Sequence, residues 1–314
     1  MKYSYLFGPV PSRRLGMSLG VDLVPRKVCT LDCVYCEVGA TTTLTNERKE
    51  YIPVSKIIEE LTHFFKTNAT AIDHITISGS GEPTLNSGIG DIVRFIKHNI
   101  KDIPLAVLTN GTLLYDKNVR DALLAADVVL PSLDAATATV FNRINRHHRS
   151  ITVDQCIEGL VNFRKEFRGK IWLEIFILPG FNDTDAELDE IRQAVLRIQP
   201  DSVQLNTLDR PGTVAGLRGA AQMELERIAQ LLDLENMEII AAAPQTGSVP
   251  SCRPDAESVV IEMIARRPCT LDDLVTTLGM SAAAVKKIID GLETADRIES
   301  VQQERGLFYQ LKDK

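Results

Sequence analysis

The chain has 314 residues, of which 44% are hydrophobic, and its formal net charge at pH 7 is −7. This length allows one large domain or two, and the acidic balance excludes the chain-wide basic field that attracts nucleic acid. No segment reaches the roughly 18 apolar residues of a membrane helix, no apolar signal stretch follows Met1, and six cysteines are too few for a disulfide framework. We therefore expect a cytoplasmic protein that does not enter membranes.

Apolar runs and helical patterns alternate along residues 1–243. Residues 18–25 form a short apolar run that ends at Pro25, which predicts a buried strand. After the cysteine-rich loop, Ser55 is predicted to cap a helix whose apolar residues recur at helical spacing. Further strands are predicted at 73–77, 105–109, 128–130, 171–178 and 202–206, and helices at 89–96, 119–125, 153–167, 184–198 and 221–232. Six β-α units in succession predict an α/β protein with a parallel sheet and external helices.

A second pattern follows residues 244–257, a stretch rich in Pro, Gly and Ser that is interpreted as a linker. Residues 258–314 are interpreted as a separate domain. Its predicted helices cover 258–266, 271–278 and 281–293, and its predicted hairpin strands cover 297–301 and 307–311. Three helices and a hairpin indicate a small winged helix-turn-helix domain. With eight Lys/Arg against nine Asp/Glu, this domain is not expected to bind duplex DNA tightly.

Three cysteines, Cys29, Cys33 and Cys36, lie within eight residues in a C-x3-C-x2-C pattern. Thiolates are soft ligands, and such close spacing lets them converge on one metal centre. A [4Fe–4S] cluster usually takes four cysteines, so three would leave one iron open to a non-protein ligand. A zinc site is the alternative, but it commonly needs a second Cys or His pair, which the sequence lacks. The spacing favours an iron–sulfur cluster.

This loop resembles that of the radical S-adenosylmethionine (SAM) enzymes, in which a Cx3CxΦC motif (Φ aromatic) holds the cluster. In that family SAM chelates the fourth iron, and Tyr35 takes the aromatic position, which the family places near the adenine. Residues 7–16 and 18–22 resemble a subgroup, the iron–sulfur oxidoreductases related to the wyosine synthases. The resemblance implies a partial (β/α)6 TIM-like barrel with its site at the carboxyl ends of the strands.

The segment Gly79-Ser-Gly-Glu-Pro83 resembles the family's GGEP motif, which binds the amino group of SAM. Gly79 and Gly81 would let the backbone approach the ligand closely, and Glu82 would accept hydrogen bonds from the ammonium group. The sequence departs from the motif at Ser80, between the two glycines. The position of the segment directly after a predicted strand supports the resemblance.

Four further residues are candidates for contact with SAM. Ser132 and Asp134 resemble family positions that contact the ribose or carboxylate of SAM, with a helix cap as the alternative. Asn110 is similarly placed, although an Asn-Gly turn also explains it. Glu174 interrupts an otherwise apolar strand, where a carboxylate needs a reason, and it is predicted to face the lumen and contact SAM or substrate.

Other polar and thiol groups have two interpretations each. Arg13 and Arg14 either bind an anionic substrate or pair with nearby acids, and the basic cluster at 143–149 either holds a carboxylate or phosphate or lies in a solvated loop. The remaining cysteines are interpreted as structural, with an auxiliary cluster as the alternative: Cys156, Cys252 and Cys269.

The resemblance implies that a reduced cluster cleaves SAM to methionine and a 5′-deoxyadenosyl radical, which abstracts hydrogen from a C–H bond. It also implies an electron donor such as flavodoxin or ferredoxin. The subgroup favours a tRNA nucleoside as substrate. The alternatives are a peptide or protein bound through the winged helix domain, and a non-enzymatic iron–sulfur redox regulator that binds DNA.

Overall fold

The computed structural model describes residues 3–240, 256–303 and 305–312. The strands before residue 241 are β1 (Leu6–Ser12), β2 (Gly16–Asp22), β3 (Val28–Cys29), β4 (Thr43–Leu44), β5 (His74–Ser78), β6 (Leu105–Thr109), β7 (Val128–Pro131), β8 (Lys170–Ile177), β9 (Ser202–Thr207) and β10 (Met237–Ile239). The helices are α1 (Val54–Thr67), α2 (Ile89–Asn99), α3 (Lys117–Leu123), α4 (Ala138–Asn145), α5 (Val153–Glu166), α6 (Asp185–Ile198) and α7 (Gln222–Leu232).

Eight strands form one sheet in the order β1-β2-β5-β6-β7-β8-β9-β10. From β2 onward the strands are parallel, whereas β1 is antiparallel to β2. The predicted succession of six parallel β-α units, the core of a partial barrel, is confirmed. Strands β1 and β10 and helix α4 were not predicted from the sequence.

The central strands of the sheet are buried. Ile75 and Ile77 of β5 and Val107 of β6 are fully buried, as expected for parallel strands covered on both faces. Helix α1 contributes Ile57 to the same core. The predicted cap of this helix is wrong, because Ser55 lies inside the helix. At the helix start, the N–H of Val54 donates a hydrogen bond to Glu50 Oε1 at 2.8 Å.

The C-terminal part contains α8 (Ala256–Arg266), β11 (Cys269–Thr270), α9 (Leu271–Leu278), α10 (Ala282–Thr294), β12 (Ile298–Gln303) and β13 (Gly306–Leu311). The three strands pair antiparallel in the order β11-β13-β12 beside three helices, which is a winged-helix arrangement. Helix α8 begins two residues before the predicted domain start, and the remainder of the predicted linker, 244–255, lies outside the described residues. None of the described helices has both the length and the apolar character needed to cross a membrane.

The C-terminal domain contacts the barrel beside β2. Arg266, the last residue of α8, forms an ion pair with Asp22 Oδ2 at 2.6 Å, and its guanidinium lies 4.0 Å from the ring centroid of Phe7. The other oxygen of Asp22 accepts a hydrogen bond from the backbone N–H of Ser80 at 3.3 Å. A single carboxylate thus joins the C-terminal domain to the loop after β5.

A second contact lies after β9. Arg210 is only 7% exposed and pairs with Asp273 of α9 at 2.7 Å and with Glu37, next to Cys36, at 3.6 Å. Arg305 of the hairpin turn pairs with Asp273 at 2.8 Å and with Asp209 at 3.2 Å. The domain therefore contacts the ends of both β2 and β9.

Candidate functional site

The three cysteines of the C-x3-C-x2-C loop line one cavity of about 290 Å³ at the carboxyl ends of the strands. All three thiols are free and partly buried. The loop is fixed by neighbouring elements: the N–H groups of Asp32 and Val34 donate to carbonyls at the end of α4, at 3.0 Å each. The thiols are therefore held in place by backbone contacts that do not involve the sulfur atoms.

Each cysteine sulfur receives one hydrogen bond from a different side chain. Asn110 Nδ2 lies 3.6 Å from Cys29 Sγ, and Asn145 Nδ2 lies 3.4 Å from Cys33 Sγ. The third donor is cationic, because Lys27 Nζ lies 3.1 Å from Cys36 Sγ. Such donors stabilise thiolate sulfur.

Burial disfavours the thiolate form when no metal is bound. It raises the pKa of Cys29 to about 12, with the charge of Glu82 acting in the same direction. It also raises the pKa of Cys33 well above its usual value, helped by the charge of Asp134. A bound metal cation reverses this preference, because a coordinating thiol is deprotonated.

The loop after β5 packs directly on the cysteine loop. A Cβ on Gly81 would lie 2.1 Å from the carbonyl oxygen of Val28, and Gly79, with φ +146°, would place one 2.0 Å from Asp22 Oδ1. The glycines thus allow close approach to other protein segments, in addition to the approach to a ligand expected from the motif. Pro83 begins a short 3-10 helix that ends at Leu85.

Glu82 is 2% exposed and its carboxylate accepts four hydrogen bonds. Oε1 accepts from the N–H and hydroxyl of Thr84, at 3.0 and 2.5 Å, and from the hydroxyl of Thr109 at 2.6 Å. Among the described residues, Oε2 accepts only from the N–H of Asn110, at 2.8 Å. Burial raises the pKa of Glu82, whereas these hydrogen bonds lower it. Oε2 retains a lone pair for a further donor.

Asp134 lies at the centre of a second buried network. Its carboxylate accepts from the hydroxyl of Tyr35, from Asn145 Nδ2 at 2.8 Å and from the N–H of Phe176 at 3.1 Å. Burial raises its pKa to about 6, against the effect of these hydrogen bonds. The cap of α4 is Thr137, so the alternative of Asp134 as a helix cap is wrong.

Tyr35 stacks on Phe176, with ring centroids 3.9 Å apart and planes 12° apart. Asn145 has one orphaned atom: its Oδ1 is buried and has no hydrogen-bond partner among the residues that the structure describes. Because a buried acceptor without a donor is unfavourable, this oxygen is suited to accept from a bound ligand. No separate pattern in the sequence singles out Asn145, which lies inside the basic cluster.

Glu174 lines the same cavity, and its ion pair with Arg14 accounts for a carboxylate within an otherwise apolar strand. Its Oε2 lies 2.5 Å from Arg14 Nη1 and 3.3 Å from Asn206 Nδ2, and Arg14 Nη1 also lies 3.3 Å from Gln204 Oε1. Of the two alternatives for Arg14, pairing with an acid is the one observed. Ser132, beside Glu174 in a parallel bridge, also lines the cavity.

Two arginines of the basic cluster at 143–149 have protein partners in this structure. Arg143 donates to the carbonyls of Gly180 and Phe181, and Arg146 lies 3.9 Å from Asp32. Among the described residues, only Asn145 of this segment lines the cavity. A structural role thus accounts for Arg143.

The remaining described cysteines pack as apolar residues. Cys156 belongs to the barrel core and also lines the cavity, and Cys269 belongs to the C-terminal core. Cys252 lies outside the described residues. Within the described ranges, no three His, Cys, Asp or Glu side chains are grouped to hold a single metal ion, as the zinc alternative requires. A cluster needs only one thiolate per iron.

Fold and site together define an α/β partial-barrel protein with a three-cysteine cofactor loop at the carboxyl ends of its strands. Residues 23–191 match the radical SAM superfamily model, and residues 241–303 match the model of the DprA winged helix domain. The chain belongs to the radical SAM superfamily. That superfamily consists of enzymes that use a [4Fe–4S] cluster and SAM, and the three free thiols, their donors and the orphaned Asn145 oxygen fit these cofactors.

The chain is also similar to several individual proteins. A UPF0026 protein of Helicobacter pylori is 31% identical over 88% of this chain and 89% of its own length. GTPase Obg of Brachyspira hyodysenteriae is 34% identical over 95% of this chain, but the chain spans only 44% of that protein. The GTP 3′,8-cyclase of Alkaliphilus oremlandii is 28% identical over 59% of this chain and 51% of its own length.

A solved structure supports the fold. The radical SAM methyltransferase from Sphaerobacter thermophilus has a TM-score of 0.56 at 17% identity, covering 71% of this chain and 65% of that chain.

Proposed function

We propose that this protein reductively cleaves SAM at a [4Fe–4S] cluster held by Cys29, Cys33 and Cys36 and uses the resulting radical to modify a substrate. The convergence of three free, hydrogen-bonded thiols on one cavity carries this proposal. When bound and reduced, the cluster supplies one electron to SAM, which yields methionine and a 5′-deoxyadenosyl radical that abstracts hydrogen from a C–H bond. The electron comes from a donor such as flavodoxin or ferredoxin.

The side chains of the cavity bind and orient the ligand. Glu82 Oε2 accepts a single hydrogen bond from the residues that the structure describes, so it has room to accept from the ammonium group of SAM. Asn145 Oδ1 accepts a second donor of the ligand, while its Nδ2 group stays on Cys33 and Asp134. Tyr35, Asn110, Ser132 and Asp134 form the wall around them. The buried position of these groups excludes water, which strengthens each polar contact.

A nucleoside, in tRNA, is the proposed substrate. The relatives that are GTP 3′,8-cyclases support a nucleoside, and the side chains of Arg14 and Glu174, which line the cavity, carry donors and acceptors suited to a base or ribose. The docked C-terminal domain lies beside the cysteine loop, through Arg210 and Glu37, where a macromolecular substrate would arrive. The same domain supports the alternative, a peptide or protein substrate.

The cluster is tested by anaerobic reconstitution of the protein and of a variant with Cys29, Cys33 and Cys36 all changed to Ala. We expect the variant to lose iron, sulfide and the paramagnetic signal, and to form no 5′-deoxyadenosine with SAM and dithionite. Cys156→Ala is the matched control, because Cys156 lines the same cavity outside the motif, and it should keep its cluster. A triple variant with full iron and sulfide content would refute the assignment.

The substrate is tested by trapping RNA and peptides on the reconstituted protein, followed by mass spectrometry of nucleosides after reaction with SAM. We expect enrichment of tRNA and a SAM-dependent change in the mass of one nucleoside. Enrichment of a peptide with a SAM-dependent mass change, and none in RNA, would instead support the peptide alternative.

A further inference from the structure

Lys27 differs from the other two donors to the cysteine sulfurs because it carries a positive charge. The side chain is buried, with the residue only 5% exposed, and its Nζ atom lies 3.1 Å from Cys36 Sγ. The donors to Cys29 and Cys33 are neutral amides. The electrostatic surroundings of the three ligand sulfurs are therefore unequal.

The backbone of Lys27 is fixed on both sides. It adopts a left-handed conformation with φ 61°, which is uncommon for a residue other than glycine. Its N–H donates to Ser80 O at 2.6 Å, and its carbonyl oxygen accepts from the N–H groups of Thr42 and Thr43 at 3.1 Å each. Contacts to the Gly79–Pro83 loop and to the end of the cysteine loop thus hold Lys27 in place.

No carboxylate forms an ion pair with Lys27 in the part of the chain that the structure describes. Burial of an ammonium group is costly unless a counter-charge compensates for it. Lys27 Nζ donates a hydrogen bond to the sulfur of Cys36, a cluster ligand in the proposed function. The position is explained if the negative cluster and its thiolates are the counter-charge.

We propose that Lys27 raises the reduction potential of the cluster through its charge and its hydrogen bond to Cys36. This inference rests on the proposed function. Uptake of one electron makes the cluster with its thiolates more negative by one elementary charge, and a buried cation beside a ligand sulfur stabilises that reduced form. Lys27 is a positioning and tuning residue, since it does not itself bind iron.

The experiment is a redox titration of the reconstituted protein without SAM, followed by electron paramagnetic resonance, so that the readout does not depend on turnover. The neutral variants are Lys27→Met and Lys27→Gln. Two variants are used because, if one folds poorly, the other can still be compared with the wild type. At the potential of the wild-type midpoint, we expect the ratio of reduced to oxidised cluster in these variants to be at least tenfold lower. A tenfold change corresponds to a midpoint potential lower by about 59 mV for a one-electron couple. Lys27→Arg should restore most of the ratio.

The matched control is Arg26→Met. It removes a positive charge from the adjacent residue, whose guanidinium is exposed and donates to the carbonyl of Val38, so it should leave the potential unchanged. An unchanged midpoint potential in both neutral variants, with normal iron and sulfide content, would refute the proposed role of Lys27 and leave the proposed function standing. Wild-type protein that binds no iron or sulfide would refute the proposed function itself.

Discussion

At the scale of single residues, Glu82 connects three parts of the site. Its carboxylate joins the loop after β5 to Thr109 and Asn110 at the end of β6, and Asn110 in turn donates to Cys29. A side chain with this many bonds has a structural task in addition to the proposed contact with SAM. The two tasks respond differently to substitution.

We expect Glu82→Ala to weaken SAM binding and also to lower the free energy of unfolding by roughly 3 kcal/mol, because buried donors lose their acceptor. Glu60→Ala is the control: Glu60 is a buried carboxylate that accepts from the N–H groups of Ser4 and Tyr5, away from the cavity. It should lower stability without changing the SAM affinity of the reconstituted protein. Equal SAM affinity in both variants, measured by equilibrium dialysis, would exclude Glu82 from the SAM site.

Asp134 predicts a pH dependence of stability. Burial raises the pKa of its carboxyl from 3.8 to about 6, so the folded cluster-free protein binds this proton more tightly than the unfolded chain does. That contribution is present below pH 3.8 and is lost as the pH rises from about 4 through 6. It amounts to roughly 3 kcal/mol at about 1.4 kcal/mol per pH unit.

The measurement is urea unfolding of cluster-free wild type and Asp134→Asn between pH 4.5 and 7. Titration of other groups is common to both proteins and cancels in their difference. We expect that difference to change by roughly 2 kcal/mol or more over this range, in the direction that makes the wild type relatively less stable at high pH. A constant difference would show that Asp134 has an ordinary pKa.

At the scale of elements, the cysteine loop and the loop after β5 must fit against each other. We expect Gly81→Ala to move the cysteine loop and to reduce the iron bound per chain, because the added methyl group would lie 2.1 Å from the backbone carbonyl of Val28. Gly291→Ala, within α10, is the control, since no atom lies within 4 Å of an added Cβ there. It should raise stability by about 0.5–1 kcal/mol and keep full iron content. Full iron in Gly81→Ala would contradict the close contact.

The elements that were predicted correctly are those with a strong local pattern. Strands β6, β7 and β8 are largely apolar runs, and β5 and β9 alternate apolar with polar residues, so the local pattern alone indicates them. Strand β1 escaped prediction because Pro9 and Pro11 are typical of loops and are tolerated here only because β1 is an edge strand that pairs with β2 alone. Helix α4 has only eight residues, of which Phe141, Ile144 and Asn145 are buried, too few for a clear pattern.

In the site, too, the features with a local sequence pattern were predicted and those that depend on tertiary contacts were not. The cysteine spacing and the Gly79–Pro83 motif are local, and both could be read from the sequence. The pair of Arg14 and Glu174 joins residues 160 positions apart, and the contacts of Asn145 with Cys33 span 112 positions. Pairings of this kind depend on tertiary structure, and a single sequence has no local signal for them.

At the scale of the whole molecule, the ion pairs of Arg210 hold the C-terminal domain on the barrel. We expect Arg210→Met to weaken docking by roughly 3 kcal/mol or more, because Glu37 and Asp273 each lose an arginine partner, although Asp273 retains its ion pair with Arg305. Hydrogen–deuterium exchange should rise in α9 and in the loop after β9. Arg297→Met, which removes an exposed pair with Glu257 inside the C-terminal domain, should leave exchange there unchanged. Equal exchange in both variants would contradict docking through Arg210.

The charges of the C-terminal domain also predict weak DNA binding. Lys286 on α10 is paired with Asp290, and Arg305 of the hairpin turn is engaged with Asp209 and Asp273. Few cations are left for phosphate contacts, which supply most non-specific affinity. We expect no appreciable binding of the full chain to random duplex DNA at physiological salt, measured by fluorescence anisotropy. Submicromolar, steeply salt-dependent binding would instead support the alternative of an iron–sulfur redox regulator that binds DNA.

The ion pairs that hold the C-terminal domain are linked to both cofactor loops. Asp22, which pairs with Arg266, accepts a hydrogen bond from the N–H of Ser80. Glu37, next to Cys36, pairs with Arg210, which in turn pairs with Asp273 of the C-terminal domain. Thermodynamic reciprocity follows from this arrangement. If a ligand in the cavity tightens these contacts by some factor, then a partner that releases the C-terminal domain weakens that ligand by the same factor. Docking of the C-terminal domain and ligand binding in the cavity would then be coupled processes, although no described side chain of the C-terminal domain lines the cavity.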